Sequence, residues 1–446
     1  DETGIVQFAL VEAATHLSVF SRDHDYLTVV GTFDGEYVLP LRRRSSNERI
    51  AGMSGTVDFS QIMTEGGVEL SLSGPSVGSR LADISIGSIL GSTFNVSINA
   101  GPASFDIPIP SGVTLSAELP IIGRIEAKSE FYGTTEPGLR LAWSMAGRMD
   151  VGGLTQLARG GDGAGIGRVL AAILPYFETF SHGLRVGDRL VALPRVPDEN
   201  DIDGDGDSEE LRPDYERFPV LNLRPDRQQT LRLSIDVSAI TQPDELTIVF
   251  PGIDMPGIGF VPLGVTAAEE PGIYPARMTP AYDGLEAGDP LVMAISARFG
   301  DGQVLPESLT LHFQRSAGLV PLNTSFRVND NQEAPITRPD TAEWNSVMRR
   351  FEGVGSQGAD AHRLVLFGPD GRWDVYFDQG VDTSIGLPFP PDGFDDLAAG
   401  PEKRFEALQF TNDAQHFMEV LSLAERDISS LADIDRLLRT VGRLGL

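Results

Sequence analysis

The chain contains no cysteine in 446 residues, which removes disulfides, thiolate catalysis and cysteine-based metal sites together. Positive charge is also scarce, with 35 Lys and Arg against 64 Asp and Glu and a formal net charge of −29. That balance excludes the broad basic footprint through which proteins bind nucleic acid and opposes adhesion to anionic lipid. One basic cluster, Arg42 to Arg44 with Arg49 nearby, follows an expected strand and reads as a solvated turn. No apolar run is long enough to span a membrane. The six histidines, His16, His24, His182, His312, His362 and His416, form no close metal-binding spacing. His16 and His24 could meet across a hairpin, but no third ligand accompanies them. The three tryptophans, Trp143, Trp344 and Trp373, read as core residues rather than sugar platforms; Trp373 shares a strand face with Val375 and Phe377.

What the chain has in excess is carboxylate, concentrated in the run DENDIDGDGDSEEL from Asp198 to Leu211. Glu199, Asp201, Asp203, Asp205, Asp207, Glu209 and Glu210 repel one another unless a cation neutralises them. A hard divalent ion such as calcium suits alternating carboxylates around two glycines, because it takes about 6–8 oxygen ligands from loop positions 1, 3, 5, 7, 9 and 12 with glycine at 6. Two registers fit. The first starts at Asp201 and uses Asp203, Asp205, Gly206 at the turn, Asp207 and Glu209, but places Arg212 at position 12. The second starts at Glu199 and uses Asp201, Asp203, Gly204 at the turn, Asp205, Asp207 and a closing Glu210. The Asp201 register is preferred, because its opening matches D-x-D-x-D-G.

This run resembles the calcium loops of EF-hand, dockerin and thrombospondin type 3 modules over about a dozen residues. The resemblance implies calcium as the bound ion and stops at the flanks. LVALPRVP, Leu190 to Pro197, and LRPDYERFP, Leu211 to Pro219, carry two prolines each, which disfavours the helices an EF-hand needs. The expectation is an isolated calcium staple in a β-rich setting, the alternative a solvated acidic linker.

Strand patterns and short-spaced turns dominate elsewhere and point to sandwiches or barrels rather than βαβ units. Leu27–Phe33 and Glu36–Leu41 flank Asp34-Gly35, a dipeptide suited to a tight hairpin. Leu291–Phe299 turns at Gly300-Asp301-Gly302, and His362–Phe367 turns through Gly368-Pro369-Asp370-Gly371 into Arg372–Phe377. Edge strands are expected between Ile107 and Ile125, and strands at Leu231–Ile240 and Leu246–Phe250, with Pro251–Gly259 an irregular loop. The first hairpin with SGTVDFSQIM and VELSLSGP is similar to transthyretin-like, carboxypeptidase-regulatory-like or Ig-like β-sandwich modules of bacterial surface proteins.

Helical spacing occurs in two places. Ile166, Val169, Leu170, Ile173, Leu174, Phe177 and Phe180 share one helical face, interrupted at Pro175. Near the end, Asp413–Ala424 and Leu431–Val441 are spaced as helices, and Ser430 with Asp433 resembles a capping box. Catalytic signatures are thin. Gly74-Pro75-Ser76-Val77-Gly78 matches G-x-S-x-G, but a nucleophile elbow needs a strand, a sharp turn and a helix in an α/β sheet, whereas Pro75 and its surroundings suit a β-turn. The glycines at 160, 161, 163, 165 and 167 match neither a dinucleotide fingerprint nor a P-loop.

The expected fold is mainly β, with multidomain β-sandwich-like modules, a short inserted helix and a helical C-terminus. The divisions are an N-terminal hairpin region or small sandwich (1–48), a β domain (49–160), a helical insertion (161–185), a β domain carrying the acidic loop (186–270), a β-sandwich-like domain (271–410) and C-terminal helices (411–446). The chain starts DETGIVQF without an initiator Met or signal peptide, as a mature exported form would. With its acidity, calcium loop and missing cysteine, this implies a bacterial extracellular or cell-surface protein of structural or adhesive role. Cell-surface polysaccharide or further copies of the chain are the expected partners. The competing readings are a self-assembling filament or layer subunit and a secreted carbohydrate-active hydrolase, whose carboxylate pair sequence cannot select.

Overall fold

The structure is a computed structural model and describes residues 14–33, 51–62, 67–77, 93–100, 103–110, 113–115, 128–135, 138–150, 174–184, 195–197, 211–213, 215–227, 231–241, 245–280, 284–298, 308–315, 324–327, 343–352, 359–368, 371–377, 384–400, 403–411 and 436–443, with single residues 39, 41, 171 and 421. Its first strands are β1 (Ala14–Val19), β2 (Tyr26–Phe33), β3 (Ala51–Asp58), β4 (Gly67–Pro75), β5 (Thr93–Ala100), β6 (Ala103–Pro110), β7 (Val113–Leu115), β8 (Lys128–Thr135), β9 (Leu141–Asp150) and β10 (Phe177–Leu184). Short strands follow at β11 (Arg195–Pro197), β12 (Leu211–Pro213), β13 (Tyr215–Arg217) and β14 (Leu221–Asn222), before β15 (Leu231–Asp236), β16 (Leu246–Met255), β17 (Gly259–Pro262), β18 (Gly264–Ala268) and β19 (Ile273–Met278). The remainder are β20 (Asp289–Arg298), β21 (Ser308–Arg315), β22 (Thr324–Arg327), β23 (Glu343–Asn345), β24 (Arg350–Glu352), β25 (Ala361–Gly368), β26 (Gly371–Phe377), β27 (Ser384–Gly386), β28 (Lys403–Thr411) and β29 (Arg436–Arg443).

One 14-stranded sheet dominates, running β1-β2-β26-β25-β28-β29-β21-β20-β16-β18-β19-β15-β22, with β17 added on β16. Smaller sheets are β10-β9-β4-β7, β13-β3-β14 with β8 on β3, β23-β24-β27, and the pairs β11-β12 and β5-β6. The protein is therefore mainly β. In the large sheet β2 and β26 run parallel, as do β15 and β22.

Residue alternation explains how the strands are layered. In β2, β26, β25 and β28, one face contributes Tyr26, Trp373, Leu364 and Phe405 to a core with Phe351, Ile385 and Leu397. The opposite face contributes Leu27, Val29, Tyr376, Ala361 and Leu408 to the largest core, shared with Ile248, Phe250, Met293, Trp143 and Phe177. Both faces of this part of the sheet are thus covered. β16 is buried at all ten positions, LTIVFPGIDM, the near-continuous apolar pattern of a strand enclosed on both sides.

The hairpin expected at His362–Phe377 is present, with β25 and β26 paired from His362↔Phe377 to Gly368↔Gly371. β20 and β21 likewise pair antiparallel. The first expected hairpin differs. Over Leu27–Val30, β2 has β1 on one side and β26 on the other, so both edges are taken there, and the Asp34-Gly35 turn lies outside the described residues.

The expected loop at Pro251–Gly259 is also corrected, since β16 continues to Met255 and pairs along this stretch with β20 and β17. Pro251 interrupts no ladder that needs its N–H, because it lies at the break where one edge of β16 passes from β18 to β17.

The two helical expectations meet strands over Phe177–Leu184 and Arg436–Arg443, while the single described residues Ala171 and Leu421 within them are helical. Residues 174–176 form a 3-10 turn containing Pro175, and Phe177–Leu184 is β10, paired with β9. Proline ends any helix there, and FETFSH then pairs with an open strand edge. At the C-terminus, Arg436–Arg443 is β29, held between β28 and β21. The spacing of Leu437, Leu438 and Val441 fits a helix, but partners on both edges satisfy the strand's backbone, and such long-range pairing overrides local periodicity. Ile166–Leu170 and nearly all of Asp413–Ala424 lie outside the described residues, apart from buried Leu421.

Gly252 marks a close approach of backbones in the large sheet. A Cβ there would lie 2.3 Å from the Val261 carbonyl oxygen and 2.7 Å from the Phe260 ring. Gly252→Ala is expected to cost about 1–3 kcal/mol through overpacking, read as a lower urea midpoint with unchanged slope.

Candidate functional site

The seven carboxylates Glu199, Asp201, Asp203, Asp205, Asp207, Glu209 and Glu210 lie outside the described residues, but the strands that flank them do not. β11 and β12 pair antiparallel, Arg195↔Pro213, Val196↔Arg212 and Pro197↔Leu211. The residues from 198 to 210 therefore connect two hydrogen-bonded strands, and the flanks are extended, as their prolines imply. Among the described residues no cluster of three or more His, Asp or Glu could hold a metal ion.

The other sequence candidates resolve into packing groups. Ser76 is fully buried, donates its hydroxyl to the Ile258 carbonyl at 2.9 Å and accepts the Leu141 N–H at 3.2 Å. It docks the end of β4 onto the large sheet, next to the Val77↔Phe260 bridge. Trp143 and Trp373 are buried, their indole N–H groups donating to the Pro75 carbonyl at 2.8 Å and to Thr28 Oγ1 at 2.9 Å. Trp344 is half-buried, with the Lys403 ammonium 5.7 Å above its ring. Partial burial moves that lysine below the usual range.

The described histidines are dispersed. His24 Nδ1 meets Ser21 Oγ at 3.0 Å, and His312 is buried in β21. His362 is buried between Phe377 and Phe405, with ring centroids 5.1 Å and 5.7 Å away.

The densest chemistry is a group that strand patterning hides. Arg363 on β25 is completely buried. Its Nε and Nη2 donate to Asp374 Oδ1 at 3.1 Å and 2.8 Å, and its Nη1 donates to Glu406 Oε2 at 3.1 Å. Arg372 Nε donates to the other oxygen of Asp374 at 2.9 Å and lies 3.6 Å from Asp25 Oδ2. The Tyr376 ring packs 5.5 Å from the Arg363 guanidinium carbon. Three carboxylates and two guanidiniums thus join the turn before β2 to β26, β25 and β28, across four adjacent strands of the large sheet.

The register produces this cluster. Arg363 pairs with Tyr376 on one side and Glu406 on the other, while Asp374 pairs with Leu27. All project from the face opposite Trp373. The alternation Arg372, Asp374 reads in isolation as a solvent-facing row; the signal that it is internal is the Arg363 of the neighbouring strand, placed diagonally to Asp374.

These groups are too enclosed to meet a substrate. Their chemistry is positional, because charges in a low-dielectric interior require partners in one geometry. Arg363→Met leaves Glu406 and Asp374 short of a buried donor and is expected to cost about 3–5 kcal/mol. Adding Glu406→Leu should recover part of that loss, with a coupling of about 0.5–3 kcal/mol in a double-mutant cycle read by urea unfolding. No family model, curated protein or solved structure matches this chain, and its functional reading rests on its own residues.

Proposed function

We propose that this chain is a bacterial extracellular or cell-surface structural protein, adhesive in role, whose acidic hairpin loop binds a calcium ion. The observation that carries the reading is the antiparallel pairing of β11 with β12 at the two ends of the acidic run. Closing the ends holds seven carboxylates in one short loop, which concentrates their mutual repulsion and their capacity to ligate a hard cation. Asp201, Asp203, Asp205, Asp207 and Glu209 supply the ligands in one register, and Glu199 and Glu210 open and close the other. Calcium would neutralise the loop and stiffen the hairpin, fixing how its neck projects from the neighbouring strand β13. The mainly β architecture and the lack of cysteine agree with a structural role outside the cell.

A calorimetric calcium titration on chelator-stripped protein tests this. Binding is expected, with a gain of about 2.7 kcal/mol in stability once free calcium exceeds the dissociation constant a hundredfold. Asp203 is a ligand in both registers, so Asp203→Ala should weaken binding and remove the gain. No heat at millimolar calcium, or an unchanged Asp203→Ala, overturns the reading. Large assemblies on calcium addition, seen by size exclusion, would replace it with a filament or layer subunit.

A further inference from the structure

Three of the most exposed large apolar side chains among the described residues share one end of the small β23-β24-β27 sheet: Val347 at 88%, Phe389 at 76% and Met348 at 63% exposed. β24 and β27 pair Arg350↔Gly386, and the Leu387 N–H donates to the Arg349 carbonyl. The chain turns back at 346–349 directly before this pairing, and the Arg349 guanidinium lies over the Phe389 ring, which places the Val347-Met348 turn and Phe389 at the same end of the sheet, here called the tip.

The tip is held in shape. The Met348 N–H donates to Asn345 Oδ1 at 3.0 Å, and Arg349 takes a left-handed φ of 49° that closes the turn. The Arg349 side chain is paired with Asp396 and donates to the Pro388 carbonyl at 3.1 Å. Its guanidinium carbon sits 4.3 Å from the Phe389 ring centre. A largely buried, paired arginine thus braces an aromatic ring that remains in water, and exposure of the tip is built in rather than a result of slack.

Charge and area decide what covers it. Arg350 stands exposed beside the apolar end, while Glu343 and Glu352 face each other across the hairpin below it, both exposed. Three such side chains offer on the order of 300–400 Å², about half of one partner's share of a standard protein interface of roughly 800 Å². The area is small for a second copy of the chain and suits shallow entry into a lipid interface. Acidic groups below the tip and a net charge of −29 repel anionic lipid but complement the outer ammonium layer of a phosphocholine surface, with Arg350 at phosphate depth.

We propose that the Val347-Met348-Phe389 tip inserts into zwitterionic, phosphocholine-type lipid interfaces, independently of calcium in the acidic hairpin. Flotation of the full chain, in chelator, with phosphatidylcholine vesicles is expected to show binding. Combining Val347→Ser, Met348→Ser and Phe389→Ser should lower the partition coefficient about tenfold or more, as expected for lost apolar burial. The single change Val347→Asp, at the most exposed position, should lower it in the same direction without altering the melting temperature. Ile273→Ser, at an exposed apolar position on β19, should leave it unchanged. Absence of binding at about 1 mM lipid overturns the proposal and leaves a protein partner for the tip. Equal binding by the variants, or tighter binding to phosphatidylserine vesicles, overturns it also.

Discussion

A guanidinium taken out of water must find its acceptors within the protein, and Arg363 finds them on the strands at both its sides. Asp374 on β26 and Glu406 on β28 each accept from it, and Asp374 in turn accepts from Arg372, which lies beside Asp25 at the start of β2. Sliding any one of these strands by a residue would turn its charged member to the opposite face, among Trp373, Leu364 and Phe405, away from its present partners. Apolar packing alone discriminates weakly against such slips when both faces are buried, because either face then receives hydrophobic groups. The ion network supplies the discrimination. It opposes slipped registers more strongly than it adds to net stability, since desolvation offsets much of its attraction.

The same network gives the chain's ends a place in the fold. β2 comes from the first residues and pairs parallel with β26 near the other end. A parallel pair cannot be made by a tight turn, so its partners must meet across a long connection. Asp25 beside Arg372 and Trp373 bonded to Thr28 are polar contacts at that joint. With Phe20 and Tyr26 packed against Trp373, and Phe394 against Tyr26, the joint has both an apolar and a charged side.

How much of this could be read beforehand divides along the range of the interactions. Local signals succeeded: the Gly368 to Gly371 turn, the alternation in RWDVYF and the long apolar run at Leu246 are properties of a few neighbouring residues, and the strands follow them. Non-local pairing defeated the reading at β29, where helical spacing yields to two partner strands, and at Pro251, where a residue that reads as a breaker sits at a change of partner. The buried ion cluster was illegible for a related reason. Charge at every second residue denotes a wet face only if that face is wet, and what covers it is encoded elsewhere in the chain. The prolines around the acidic run, by contrast, correctly marked extended flanks, because proline acts on its own backbone.

Charge is therefore used in two opposite ways in this protein. Inside, on β25, β26 and β28, acids and bases are interleaved and hydrogen-bonded, so that the low dielectric strengthens each attraction. The acidic hairpin instead collects carboxylates with hardly a base among them, and its neck is only three residue pairs long. So short a ladder offsets little of the repulsion among seven carboxylates, which is the ground for proposing a counter-ion there. The interior network needs no partner from solution, whereas the hairpin is proposed to take one. That difference is why a structural role is assigned to the first group and a ligand to the second.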